Sequence, residues 1–145
     1  MNDILFCSTR GTELIKKHEG LRLKAYQCPG GVWTIGYGHT RKVEENQSIT
    51  KERAESLLSG DIRFSEEAVK LFVKVPVNQN EFDALVSFTF NVGSANLKKS
   101  TLLKLINKNE FLKAAGEYPK WIYSKGKILP GLVIRRNDEK ELFLR

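Results

Sequence analysis

The chain has 145 residues, 41% of them hydrophobic and 28% charged, with a formal net charge of +7 and a sequence pI near 9.5. That length suits one compact domain with room for two lobes, and the apolar fraction is enough for a core, which excludes wholesale disorder. The charge favours polyanionic partners (nucleic acid, anionic lipid or an acidic cell-wall polymer), while no stretch approaches the ~20 apolar residues of a membrane span.

The N-terminus, MNDILFCSTRGTELIKK, offers only a short apolar patch, Ile4 to Cys7. A signal peptide needs a basic start and an apolar region of about 7–15 residues. No signal peptide, signal-anchor or stable membrane insertion is therefore expected, and the chain reads as made in the cytoplasm. Two cysteines, Cys7 and Cys28, are too few for a disulfide scaffold, and two unclustered histidines give no metal-ligand spacing. No cofactor or metal is expected.

Residues 9–19 read as a helix. Ser8 or Thr9 can cap it, Leu14, Ile15 and His18 share a face, and Gly20 ends it. Glu19 then lies in the last turn, at the negative end of the helix dipole, where a carboxylate suits a proton donor better than a stabilising charge. From 21 to 47 the pattern is strand-like: Leu21, Leu23 and Ala25 alternate with polar or aromatic neighbours, VWTIGY is β-rich, and Pro29-Gly30-Gly31 is turn chemistry. The expected product is a small antiparallel sheet with little core of its own.

A long helix begins near Thr50, with Glu52 in its first turn. Ala54, Leu58, Ile62, Val69 and Phe72 hold helical spacing over more than five turns, and Pro76 ends the segment. Everything after Pro76 reads helical. NQNEFDALVSFTFNVG is apolar enough to be buried all round, with Gly93 as its stop. Ser100 or Thr101 caps TLLKLIN, Asn109 can cap EFLKAAGEY, and VIRRNDEKELFLR after Pro130-Gly131 is a basic amphipathic helix. The fold class expected is α+β, mostly α. One domain over 1–145 holds a β lobe at about 21–49, a connecting helix at about 50–73, and a helical lobe at about 74–145 joined by the N-terminal helix.

Glu19, Cys28 and Thr34 are spaced nine and six residues apart. With Glu19 ending a helix and the other two on adjoining strands, all three can face a cleft between lobes. Each also has an ordinary reading: a solvated charge, a small buried hydrophobe, a strand former. The same holds for His39, a base or half of an ion pair, and for Trp33 and Trp121, which can stack on a ligand or fill a core.

The segment EGLRLKAYQCPGGVWTIGYGHT resembles the active-site stretch of the phage-type lysozymes, the T4-lysozyme-like endolysins and muramidases. LLSGDI resembles that family's long helix, QNEFDALVSFTFNVG and STLLKLIN its central helices, and WIYSKGKILPGLVIRRNDEKELF its C-terminal region. The likeness runs in order from Gly11 to Phe143. It implies a lysozyme-like two-lobed fold and hydrolysis of the β-1,4 bond between N-acetylmuramic acid and N-acetylglucosamine in peptidoglycan. Glu19 matches the general acid, Cys28 the position usually held by Asp, and Thr34 the residue that completes the site. Thr40, Phe90 and Thr101 match positions lining the glycan groove. His39 and Asp61 match a structural ion pair, and Arg135 or Arg136 can approach the cleft. An inverting reaction needs room for water, roughly 6.5–9.5 Å between the acid and its opposing base.

Cysteine departs from the usual pattern. A free thiol near pKa 8.5 is only a few per cent ionised at pH 7, and an anionic neighbour lowers that fraction. Relatives of the P1-like endolysin type carry Cys here, so the change does not imply a dead enzyme. Three readings stay open: Cys28 acts as a base or orients water; Glu19 and Thr34 carry the work and Cys28 only positions; or the protein binds glycan without cutting it. Such relatives can cage this Cys in a disulfide, but a helix over 9–19 sets Cys7 about 15–18 Å from Glu19, too far for a Cys7–Cys28 bridge. The resemblance further implies a monomer that meets periplasmic peptidoglycan after release through a separate membrane lesion such as a holin. No wall-binding domain is recognisable, which fits a thin Gram-negative wall. A muramidase toxin shares the chemistry. A nucleic-acid module is not expected, because the 24 basic residues are spread along the chain without a binding motif.

Overall fold

The computed structural model describes residues 2–145. The fold is α+β and mostly helical. Helix α1 (Thr9–Glu19) is capped by Ser8, whose hydroxyl accepts from the Gly11 amide, and ends at Gly20. Strands β1 (Arg22–Gln27) and β2 (Trp33–Gly36) pair antiparallel, with Tyr26 opposite Thr34 and Gln27 opposite Trp33. The turn CPGGV is closed by the Cys28 amide donating to the Val32 carbonyl at 2.9 Å and the Gly31 amide donating to the Cys28 carbonyl at 2.8 Å. The chain then doubles back at once, because Ile35 and His39 exchange two amide–carbonyl bonds of 2.9 Å. No residue of β1 is fully buried, as expected for a sheet with little core.

Helix α2 (Lys51–Phe72) starts at Thr50, whose hydroxyl accepts from the Arg53 amide, and its 22 residues span about 33 Å. It buries Ala54, Leu58, Ile62 and Val69. Helix α3 (Gln79–Val92) opens with a reciprocal capping box between Asn78 and Glu81 and buries every residue from Phe82 to Thr89. The expectation of a helix enclosed on all sides holds. Its buried carboxylate, Asp83, accepts from the Ser8 amide at 3.0 Å, from the Ser8 hydroxyl and from Gln79 at 2.8 Å. A buried charge is tolerated when several donors converge on it, and here they fasten the start of α1 to α3.

The region after Pro76 is less uniformly helical than its pattern suggests. Helices α4 (Ser94–Lys99) and α5 (Thr101–Asn107) follow α3, with Ser100 rather than Thr101 capping α5. Helix α6 covers only Phe111–Ala115. Asn109 does not cap it: its backbone is left-handed, φ 61°, and Glu110 stands at the cap position. A 3-10 turn (Tyr118–Lys120) leads into a hairpin of β3 (Tyr123–Ser124) and β4 (Lys127–Ile128) that helical periodicity concealed. Lys125-Gly126 makes its turn with φ of 51° and 79°; two consecutive positive values are what a two-residue hairpin requires.

Helix α7 (Pro130–Leu144) begins at Pro130 itself, a position where the missing N–H costs nothing. Its basic character does not make a solvated face at its centre, where Arg135, Arg136 and Glu139 are buried. The helical core closes over Phe88, whose ring meets Tyr118 and Trp121 edge-on at 5.5 and 5.4 Å.

Candidate active site

The end of α1, the β1–β2 turn and the first turns of α7 converge on an open cleft of about 560 Å³. Glu19, Cys28, Tyr26, Asn91 and Arg135 all line it. It runs into a second hollow of about 460 Å³ that shares Cys28 and Asn91 and adds Trp121, Tyr123 and Asn96. The two share lining residues and adjoin at the candidate site, forming one groove of mixed polar and apolar lining.

Glu19 is the last residue of α1, and its side chain is 19% exposed. Oε2 accepts from Arg135 Nη1 at 2.6 Å. Oε1 lies against the backbone of Gly38, which has φ 78°, so any side chain at 38 would collide with the carboxyl as well as strain the backbone. The second glycine of TIGYGHT therefore gives the carboxyl its place, a role its pattern alone did not reveal.

Cys28 follows β1 at the start of the turn and lines the same cleft. Hydrogen bonding from the Val32 backbone draws its thiol below the ordinary value against the opposing effect of burial, with lesser help from Gly30 and the Thr34 side chain. This reverses the expectation of a thiol suppressed by a neighbouring anion: the turn donates to sulfur and favours the thiolate. Thr34 on β2 is buried, and the single proton of its hydroxyl has two alternative acceptors, the Val32 carbonyl at 3.0 Å and the Cys28 sulfur. Cys7 is a contrasting thiol, pushed up to about 12 by burial and by the Asp83 charge. Both cysteines are free.

The remaining sequence candidates separate. His39 Nδ1 meets Asp61 Oδ2 at 2.7 Å, its Nε2 meets the Arg41 carbonyl at 2.9 Å, and Arg41 bonds the other Asp61 oxygen at 2.6 Å. Both ring nitrogens are thus engaged, Nδ1 in joining the hairpin to α2 and Nε2 in holding its own segment. Replacing Asp61 with Asn at pH 6 is expected to cost about 1–3 kcal/mol and to lower the melting temperature by about 3–10 °C, read by circular dichroism; an unchanged melt would remove the pair from the stabilising contacts. Arg135 reaches the cleft. Arg136 does not: it is fully buried and donates to Asn91 Oδ1 at 2.6 Å. Phe90 lines a different hollow, between α2 and α3. Thr40 and Thr101 are exposed at the end of the hairpin and at the first residue of α5. None of these three lines the cleft around Glu19. Trp121 does both things open to it, packing on Phe88 and lining the groove. Asn91 and Glu139 passed unnoticed in the sequence. The signal for Glu139 was its spacing of three and four residues from two arginines, which puts all three on one helical face.

Two groups able to exchange protons therefore share one cleft: an acid held by a buried guanidinium and a thiol supported by backbone donors. Among the described residues no cluster of His, Cys, Asp and Glu suits a metal ion, and no helix is long and apolar enough to cross a membrane.

Comparison with known proteins gives the same picture. The family model described as phage lysozyme matches residues 16–139. An endolysin of Acyrthosiphon pisum secondary endosymbiont phage 1 is 46% identical, over 94% of this chain and 96% of its own. An endolysin of Bacillus phage B103 is 49% identical over 94% of this chain, which spans about half (53%) of that longer protein. Among solved structures, the muramidase domain of SpmX from Asticaccaulis excentricus superposes with a TM-score of 0.90 at 42% identity, covering 97% of this chain and 99% of that one.

Proposed function

The chain belongs to the phage lysozyme family, and on that premise we propose how its groove cuts the glycan strand. The protein is a peptidoglycan-hydrolysing muramidase of the endolysin type. The reading of its site rests on one observation: Glu19 and Cys28 line a single cleft, with the Glu19 carboxyl fixed by Arg135.

The strand lies in the groove with the bond between N-acetylmuramic acid and N-acetylglucosamine at Glu19. Protonated Glu19 donates to the leaving oxygen as the C–O bond breaks. Arg135, already 2.6 Å away, then meets the carboxylate that forms, so charge develops beside a preorganised donor. On the other face, Cys28 as thiolate accepts a proton from water as that water bonds to the anomeric carbon. Thr34 supports the sulfur. Trp121, Tyr123 and the amides of Asn91 and Asn96 supply the apolar faces and hydrogen bonds that sugar rings require.

Digestion of purified Gram-negative peptidoglycan is expected to release new reducing ends that borohydride converts to N-acetylmuramitol. New free amino groups in their place would mean peptide or amide cleavage and would overturn the assignment. A glycan-binding protein without catalysis would keep the groove but have no use for an acid held in this way, and no observation favours a toxin over a lysis enzyme.

A further inference from the structure

Behind the cleft lies a buried carboxylate that the reaction itself does not touch. Glu139, on α7, is fully buried. Its Oε2 accepts from the Ser87 hydroxyl at 2.6 Å and from Arg135 Nε at 3.3 Å, and its Oε1 stands 3.0 Å from Arg136 Nε. Each arginine then holds one residue of the groove: Arg135 holds Glu19 and Arg136 holds Asn91, both at 2.6 Å. Arg135 Nη2 also donates to the Ser87 carbonyl at 3.1 Å, and the Arg136 guanidinium lies over the Phe88 ring at 5.1 Å. One buried carboxylate thus stands at the root of two arms, one ending on the acid and the other on a groove amide.

We propose that Glu139 is a positioning residue for both halves of the reaction, setting the proton affinity of Glu19 through Arg135 and the placement of the glycan through Arg136 and Asn91. The proposal rests on Glu19 being the acid. The reason is charge balance. Glu19 must be neutral to donate, and in that state Arg135 would be a buried cation without an anion if Glu139 were absent. A buried, unpaired charge is strongly unfavourable, so the guanidinium would pull the proton off Glu19 to regain a partner. With Glu139 in place, Arg135 still has a carboxylate beside it, shared with Arg136, when Glu19 carries its proton, and it stays aimed at the Glu19 carboxyl.

Other groups near the cluster are already engaged. His18 is held by Asp138 at 2.8 Å, and Lys17 by the same carboxylate at 2.9 Å. Burial lowers His18 and raises the Tyr118 phenol well above its usual value. Tyr26 and Cys28 line the same cleft as Glu19.

The test replaces Glu139 with Gln, which keeps the shape and removes the charge, and follows the Glu19 carboxyl directly by carbon-detected NMR titration. The midpoint of that titration is expected to fall by about one pH unit relative to the native chain. In reducing-end assays kcat is expected to fall about 10-fold and KM to rise about 3-fold as Arg136, without its carboxylate partner, holds Asn91 less firmly. A merely structural role would lower the melting temperature and leave the midpoint where it was. A folded Glu139→Gln protein with an unmoved midpoint overturns the proposal. If that variant does not fold, Glu139→Asp decides: it keeps the charge but withdraws it by one methylene, and the midpoint must fall in the same direction by less. Glu19→Gln serves as the companion. If it remains active, the reading of the site fails; if it is inactive while the Glu139 variants leave the midpoint unmoved, only the present inference fails.

Discussion

Replacing Glu19 with glutamine is expected to slow cleavage of peptidoglycan by about 10²–10⁴-fold, the range that a positioned general acid contributes. The substitution is close to isosteric. Its amide oxygen can still accept from Arg135, and Arg135 keeps Glu139 and Ser87 as partners. The melting temperature should therefore stay within a few degrees of the native value, since about 1 kcal/mol corresponds to only about 2–4 °C for a chain of this size. What the variant lacks is a proton to give. Clearing of outer-membrane-stripped Gram-negative cells and release of reducing ends measure the loss, and a melting curve confirms the fold. Full activity in a folded Glu19→Gln protein would sink the mechanism, because the cleft lining holds no second carboxyl to take over.

The parts of the fold that could be read from the chain are those where local chemistry and tertiary need agree. Ser8 and Thr50 cap the helices they precede, and Gly20 and Gly93 end the helices before them. The alternation around Pro29-Gly30-Gly31 became a hairpin in which Cys28 and Thr34 are close neighbours. Errors arose where periodicity was weak or misleading. The β3–β4 hairpin is two residues to a strand, too short for alternation to register, and only the Lys125-Gly126 pair carried a turn signal. Asn109 looked like a cap because its side chain suits one, but the chain used its tolerance of left-handed backbone instead. The buried cluster was hardest to see. Two adjacent arginines on a basic helix usually face water; what buries these is Glu139 one turn on, and sequence alone does not say that Ser87 and Asn91 on α3 wait opposite. Gly38 was similarly mute, since only the folded hairpin brings the Glu19 carboxyl against it.

Cysteine on the water side makes the second large prediction. The reactive state needs Glu19 protonated and the opposing group ionised. With aspartate opposite, whose ordinary value is about 3.9, ionisation is complete well below neutrality. With Cys28, even a thiol drawn down by Val32, Gly30 and Thr34, the anion is present only as pH rises toward the thiol's own midpoint. The sign follows for any position of the Glu19 midpoint, because that factor is common to both proteins: the ratio of Cys28→Asp activity to native activity is largest in acid and shrinks as pH rises, by roughly tenfold per pH unit while the thiol is still protonated. Cys28→Asp should therefore outpace the native chain at pH 5 and approach it above pH 7. Cys28→Ser, whose hydroxyl stays protonated throughout, should fall further behind the native chain as pH rises, by about 10²-fold near pH 7.5. Alkylation gives a chemical version of the same experiment. The thiolate is the nucleophile, so iodoacetamide near pH 7.5 should label the groove cysteine and stop the enzyme, while Cys7, pushed up to about 12 and packed beside Asp83, should remain unmodified in the folded protein. If the serine variant keeps full activity, proton transfer to sulfur is not part of the step and Cys28 only places the water. If it fails where the aspartate variant succeeds at low pH, the thiolate is the base, and the donors that the CPGGV turn aims at sulfur are what allow a thiol to stand where a carboxylate usually does.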